Sequence, residues 1–190
     1  MIPSANQMSK SKIAPFFLGT GDRPSPRWMF VSWLGGFLGI FMIERMGRLV
    51  DLGDTVSLFL IGSFGATAVL VYGAPKAPFS QPRNVIGGHC VSALVGVSVF
   101  LLLGDQGIFA CPLAVSLAIV AMQITGTVHP PGGATALIAV IGGSTVHQLE
   151  YWYVLCPVGI GACIMVGVGI VINNYTGDLD RKYPCRKISI

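Results

Sequence analysis

Charge is what this sequence has least of. Only 11% of its 190 residues are Asp, Glu, Lys or Arg, against about 25% in an ordinary soluble domain. Residues 29–43, 55–75 and 84–104 carry no charge, and 106–149 and 151–177 contain no acid, Lys or Arg. Without carboxylates in the apolar runs, neither an acidic cation site nor a carboxylate proton relay can lie inside them. Also missing are H-E-x-x-H, G-x-S-x-G and a Walker loop, so the chain is expected not to be an enzyme and to need no metal or cofactor. Cys90, Cys111, Cys156, Cys163 and Cys185 are odd in number and never spaced C-x-x-C, which suggests neither a disulfide framework nor zinc. A net charge of +4 is too small to point to nucleic acid.

What is abundant is apolar surface. The chain is 53% hydrophobic, and each charge-free run of about 20 residues or more is long enough to cross a hydrocarbon core of about 30 Å. The reading is an all-α, polytopic integral membrane protein, a helical bundle with the lipid bilayer as its solvent. Helices are expected at about 28–47, 53–73, 84–104, 108–126 and 152–173, with a shorter segment at 132–143. That gives a polar, disordered tail over 1–27, one transmembrane domain over 28–174 and a basic tail over 175–190. No short apolar core with a cleavage site precedes the first span, so no secretory signal is read there.

Basic residues constrain the topology. Four lie in the first tail (Lys10, Lys12, Arg23, Arg27), two follow the first span (Arg45, Arg48), two follow the second (Lys76, Arg83), and four end the chain (Arg181, Lys182, Arg186, Lys187). Six crossings place ten of these on one side and two on the other, whereas five crossings split them evenly. The positive-inside rule favours six, with both termini cytoplasmic. Glu44 and Arg48, four apart, are expected to pair. His147, in a polar loop beside Glu150, is expected to be solvated.

The most informative run is His129-Pro130-Pro131-Gly132-Gly133-Ala134-Thr135-Ala136. Two prolines followed by two glycines break a helix, and broken backbone at membrane depth survives only where protein or a polar cavity receives it. Gly65-Ala66-Thr67-Ala68 repeats the end of this run, and each copy leads into an apolar half-helix closing near Gly73 or Gly142. Either the two copies mark an inverted repeat, with broken or re-entrant helices as in many transporters, or they are a chance match in a chain with 25 glycines.

Helix N-termini present free N–H groups and partial positive charge, which suits a small anion. Gly65, Ala66 and Thr67 with Gly133, Ala134 and Thr135 are therefore the candidate binding residues. His129 is the candidate donor or proton relay at the break, against the alternative of a structural hydrogen bond. His89, in Gly87-Gly88-His89, is balanced between the same two readings. Arg83 either steers anions at an entrance or anchors topology at the interface, and Asn173 either caps the last span or faces a cavity. Gly35 and Gly39 form a G-x-x-x-G for close helix packing, within the chain or in a homo-oligomer.

Thr125-Gly126-Thr127-Val128-His129-Pro130-Pro131-Gly132-Gly133-Ala134-Thr135-Ala136 resembles the signature of the HPP family of integral membrane proteins, named for His-Pro-Pro. Phe64-Gly65-Ala66, Pro75, Pro78, Gln81-Pro82-Arg83-Asn84 and Gly87-Gly88-His89 resemble that family's other marked segment. Asn173-Asn174 and Tyr183-Pro184 fit its end, so the likeness covers about residues 28–185. Members from cyanobacteria and chloroplasts are described as nitrite transporters with four spans. The resemblance implies a small inorganic anion, nitrite first, as the partner, in a bacterial inner membrane or plastid envelope, and moves His129 and Arg83 toward functional roles. Four spans agree with six apolar segments if the two Gly-Ala-Thr-Ala segments are the ones left uncounted. A scaffold without transport activity, or a carrier or channel for another solute, stays open.

Overall fold

Proline and glycine punctuate the chain much as their chemistry demands. A computed structural model describes residues 23–49, 62–105 and 108–185, and among these it contains helices and turns and no strand. Helix α1 runs Pro26–Leu49. Helix α2, Gly62–Ala68, continues as a wider π turn to Gly73. Helix α3 is Pro82–Leu103, opened by Pro82 in its first turn, where a missing N–H costs nothing. It is closed at Gly104, whose φ of 71° favours glycine.

Helix α4, Ala110–Thr125, ends on Gly126 in the left-handed region (φ 63°). Helix α5, Pro131–Ile141, starts with Pro131 in its first turn. Gly142-Gly143 then joins the short α6, Gly143–His147. A π-helical entry, Val154–Gly159, kinks at Cys156-Pro157 and leads into α7, Ile160–Tyr175. Three helical stretches, Pro26–Leu49, Pro82–Leu103 and Val154–Tyr175, are long and apolar enough to cross a membrane; Gly62–Gly73, Ala110–Thr125 and Pro131–Ile141 are apolar but shorter. The expected bundle is present, with segment boundaries within about two residues wherever both ends are described. The expected tail up to residue 22, residues 53–61 of the second segment, and Arg186 and Lys187 lie outside the described residues.

Side-chain ties fix which ends meet. Arg27 donates to the Thr176 carbonyl at 3.5 Å, Tyr183 to the Ser80 carbonyl at 2.8 Å, and Arg83 to the Thr125 carbonyl at 2.9 Å. The start of α1, the 74–81 loop, the α4–α5 turn and the segment after α7 therefore share one end of the bundle. At the opposite end the His147 ring stacks on Phe100, with centroids 3.6 Å apart, and donates to the Val140 carbonyl at 2.9 Å. His147 is thus half-buried and bonded, not solvated, because α6 folds it back over the end of α3. Segment 131–147 reaches the far end as two helices, completing a pass instead of returning to its own side. The 176–185 segment is likewise no free basic tail: it folds under the bundle and buries Arg181 completely.

Small residues set how closely the helices approach. Ala110, Ala114 and Ala118 form a stripe on α4 that packs with Val99, Ala136 and Val140. Gly35 and Gly39 leave a groove filled by the Tyr72 ring, and a Cβ on Gly39 would lie 2.2 Å from the Tyr72 hydroxyl oxygen. The G-x-x-x-G therefore serves packing inside this chain. Glu44 and Arg48 pair at 2.7 Å as expected. Trp33, Phe37, Leu102, Ile124 and Val171 face outward, as lipid-facing residues do.

Candidate functional site: a buried histidine–threonine chain

The break at His-Pro-Pro is a four-residue turn between two well-formed helix ends. Gly126 N–H bonds the Gln123 carbonyl and Thr127 N–H the Met122 carbonyl, which closes α4. Gly132 N–H then bonds the His129 carbonyl at 2.8 Å and Gly133 N–H the Pro130 carbonyl at 3.1 Å. Residues 127–130 carry two side chains into the bundle, Thr127, which is buried, and His129, which is fully buried.

The start of α3 holds this turn residue by residue. Arg83 caps the Thr125 carbonyl, and Asn84 donates to the Val128 carbonyl at 2.8 Å. A Cβ on Gly87 would meet Thr127 Cγ2 at 2.6 Å, and one on Gly88 would meet His129 Cβ at 2.5 Å. A Cβ on Gly132 would lie 2.6 Å from Ser92 Oγ. Gln81-Pro82-Arg83-Asn84 and Gly87-Gly88-His89 are thus the socket into which the His-Pro-Pro turn fits.

At the bottom of that socket four fully buried polar side chains join end to end. His89 Nδ1 lies 2.7 Å from Thr135 Oγ1, and its Nε2 lies 2.8 Å from Thr67 Oγ1. Thr67 Oγ1 lies 3.0 Å from His129 Nε2, and His129 Nδ1 lies 2.7 Å from the Phe79 carbonyl oxygen. The threonines of the two Gly-Ala-Thr-Ala segments therefore grip opposite nitrogens of one imidazole. The imidazole rings sit 4.8 Å apart at 61°, and Phe64 covers His89 with its centroid at 5.1 Å.

Other expected residues lie elsewhere. Gly65 and Ala66 are exposed on the far side of α2, and that helix is already formed at Gly62, so they are not a helix start. Gly133 and Ala134 are half-buried beside the cluster, but the Gly133 N–H is spent on Pro130. The reason is local: Pro130 and Pro131 bring no donors, so the carbonyls of the turn capture the glycine N–H groups that follow. Arg83 is exposed and bonds the last turn of α4, where a cation complements the helix dipole. Asn173 is buried in a separate polar centre, donating to the Val71 carbonyl at 2.9 Å and accepting from Arg181 at 2.7 Å.

Sequence reasoning missed four participants. Tyr153 donates to the Thr135 carbonyl at 3.5 Å, and the Phe79 carbonyl ends the chain of bonds. Ser63 and Ser92 place buried hydroxyls without a partner near the cluster. Helical spacing could have flagged the serines, since Ser63 lies four before Thr67 and Ser92 three after His89. Nothing in the sequence singles out a backbone carbonyl at Phe79.

A family model described as HPP, transmembrane region, matches residues 21–184. The chain belongs to this family. It is also 44% identical over 156 residues to one transmembrane protein of Dictyostelium discoideum, covering 80% of this chain and 49% of that protein. To a second transmembrane protein of the same organism it is 42% identical over 179 residues, covering 88% of this chain and 60% of the other. This HPP chain thus spans about half to three-fifths of the length of these relatives. No solved structure matches it. Family, fold and residues agree on a multi-pass integral membrane protein.

Proposed function

We propose that this HPP protein moves a small monovalent anion, nitrite first, across a membrane, with Thr67, His89, His129 and Thr135 as the polar centre the anion visits. One observation carries the reading: both Gly-Ala-Thr-Ala threonines and both motif histidines converge on a single buried cluster. Hydroxyl and imidazole donors suit an oxyanion, and no Asp or Glu lies in the helices that supply them, so nothing there repels negative charge. Side chains supply the donors in this reading, and the N-terminal dipole of α5 adds a favourable field. An even crossing number, with Arg27, Lys76, Arg83, Arg181 and Lys182 at the end opposite Arg45 and Arg48, supports cytoplasmic termini.

The test is nitrite uptake into proteoliposomes of purified protein, with nitrate, formate and chloride as competitors. Saturable uptake, weakened in His129→Ala and Thr135→Val and kept in Thr135→Ser, is the expected result. Absence of flux above empty liposomes, from protein shown to be folded, replaces this reading with that of a membrane scaffold. Preference for another competitor replaces nitrite as substrate.

A further inference from the structure

The hydrogen atoms of the buried chain can be placed by elimination. A carbonyl oxygen only accepts, so His129 Nδ1 must carry a proton and donate it to Phe79. In a neutral ring Nε2 is then an acceptor, and Thr67 must donate to it. Thr67 Oγ1, having used its one hydrogen, accepts from His89 Nε2. His89 Nδ1 is left bare, and Thr135 donates to it. Every donor in this sequence of bonds points the same way, from Thr135 toward Phe79.

A second complete pattern exists with one proton more. If both nitrogens of His129 carry hydrogen, it donates to Phe79 and to Thr67; Thr67 turns its hydroxyl to His89 Nε2; His89 Nδ1 donates to Thr135. The Thr135 hydroxyl then needs an acceptor, and the Pro131 carbonyl stands 3.4 Å away. Thr67 has a like alternative in the Ser63 carbonyl at 3.1 Å. The two patterns interconvert by concerted hops. A proton bonds to Thr135 Oγ1, which passes its own to His89 Nδ1. His89 Nε2 passes one to Thr67, and Thr67 passes one to His129 Nε2. Each N–H or O–H bond formed matches one broken, except for the single added proton, whose charge rests on His129. At Phe79 it stops, because an amide oxygen is no base of comparable strength.

We propose that Thr135, His89, Thr67 and His129 form a one-proton store in the bundle core, closed at one end by the Phe79 carbonyl. It deepens the transport reading above and rests on it for one consequence: an anion that travels with the stored proton moves without net charge. The groups facing the chain bring no formal charge of either sign. From α2 they are Ser63 and Phe64, from α3 Ser92, and from the segment before α7 the Tyr153 hydroxyl, which is engaged with Thr135. From the 74–81 loop there is only the Phe79 carbonyl. His129 also lies between the carbonyl end of α4 and the N–H end of α5, whose fields oppose each other. Arg83, the charged side chain at the turn, is exposed and directed at Thr125.

Nitrogen NMR of ring-labelled histidine in the purified chain reads the store without any transport. At high pH His129 should be the Nδ1–H tautomer and His89 the Nε2–H tautomer. On acidification a single imidazolium should appear at His129 while His89 switches to Nδ1–H, with His147 as the uninvolved reference. Thr67→Val should abolish the switch at His89, and Thr67→Ser should retain it. Two histidines of the same tautomer, or a His89 that ignores the protonation of His129, would overturn the proposal. In proteoliposomes, Thr67→Val should lose the pH-gradient dependence of nitrite uptake. Wild-type protein that shows the tautomer switch but no nitrite flux would refute the transport reading alone. Nitrite flux without the switch would refute the store alone.

Discussion

Arg181 and the two motif histidines are all fully buried, yet they hold their surroundings in opposite ways. Arg181 donates to the Tyr72 carbonyl and Asn173 Oδ1, each at 2.7 Å, to Ser32 Oγ at 3.1 Å and to the Trp28 carbonyl at 3.2 Å, with its guanidinium 4.5 Å from the Trp28 ring centroid. A guanidinium has donors and no acceptor, and it does not lose its proton in a protein. Its bonds therefore have one arrangement, and the clamp fastens α1, α2 and α7 in one position. The histidine–threonine chain is made only of groups that both give and receive, so the same heavy-atom positions admit two proton patterns. A fixed charge builds a joint; amphoteric groups build something that can change state.

The comparison is broken most severely at the clamp. Arg181→Ala leaves a buried volume empty and Asn173 Oδ1 unpaired, and should cost about 3 kcal/mol, read as thermal unfolding in detergent. Arg181→Lys should rescue little, since one compact ammonium cannot reach four acceptors on three helices. The loss should be the same at every pH at which the fold survives. A pH-dependent loss would mean that the clamp, too, can change state.

A second, smaller break separates the motifs themselves. Gly88→Ala places a Cβ 2.5 Å from His129 Cβ and 2.7 Å from the Thr127 carbonyl oxygen. Backbone cannot yield there, so about 2 kcal/mol should be lost, and the His89 and His129 resonances should move together. A variant of wild-type stability with unmoved histidines would show that the socket is looser than these contacts imply.

The smallest effect belongs to the ion pair outside the bundle, Lys76 with Asp180 at 2.7 Å. Their mutual hydrogen bond raises the Lys76 pKa and lowers that of Asp180. Asp180, with a lowered pKa, contributes above its unfolded value and loses that contribution as pH falls through the folded one. Lys76, with a raised pKa, contributes below its unfolded value and loses that as pH rises through the folded one. Lys76→Gln should shift stability slightly at neutral pH and not at all in high salt, because exposed pairs are screened. A large shift would make this pair part of the Arg181 clamp.

Much of the bundle was legible in the chain because its signals are local. Charge-free runs, Pro82 and Pro131 at helix starts, and Gly104 and Gly126 at helix ends each act through their own backbone. The candidate site was legible in part. Thr67, Thr135, His89 and His129 could be picked out as polar residues beside helix breaks, but their convergence depends on how α2, α3 and α5 pack. The expectation for backbone N–H groups missed at Gly133 because the local turn takes its N–H for the Pro130 carbonyl, and at Gly65 because exposure is a tertiary fact. Arg181 looked like one more basic tail residue, since its neighbours Trp28, Ser32, Tyr72 and Asn173 are distant in sequence.

By itself the sequence determined that this HPP-family chain lives in a membrane, where its helices fall and where they break. Those outcomes follow from transfer of apolar residues out of water and from the fixed geometry of proline and glycine. The tertiary structure alone decided that two threonines would grip one histidine, that a carbonyl at Phe79 would end the chain, and that Arg181 would be buried. Hydrogen bonds depend on distance and direction between atoms far apart along the chain, and only packing supplies those.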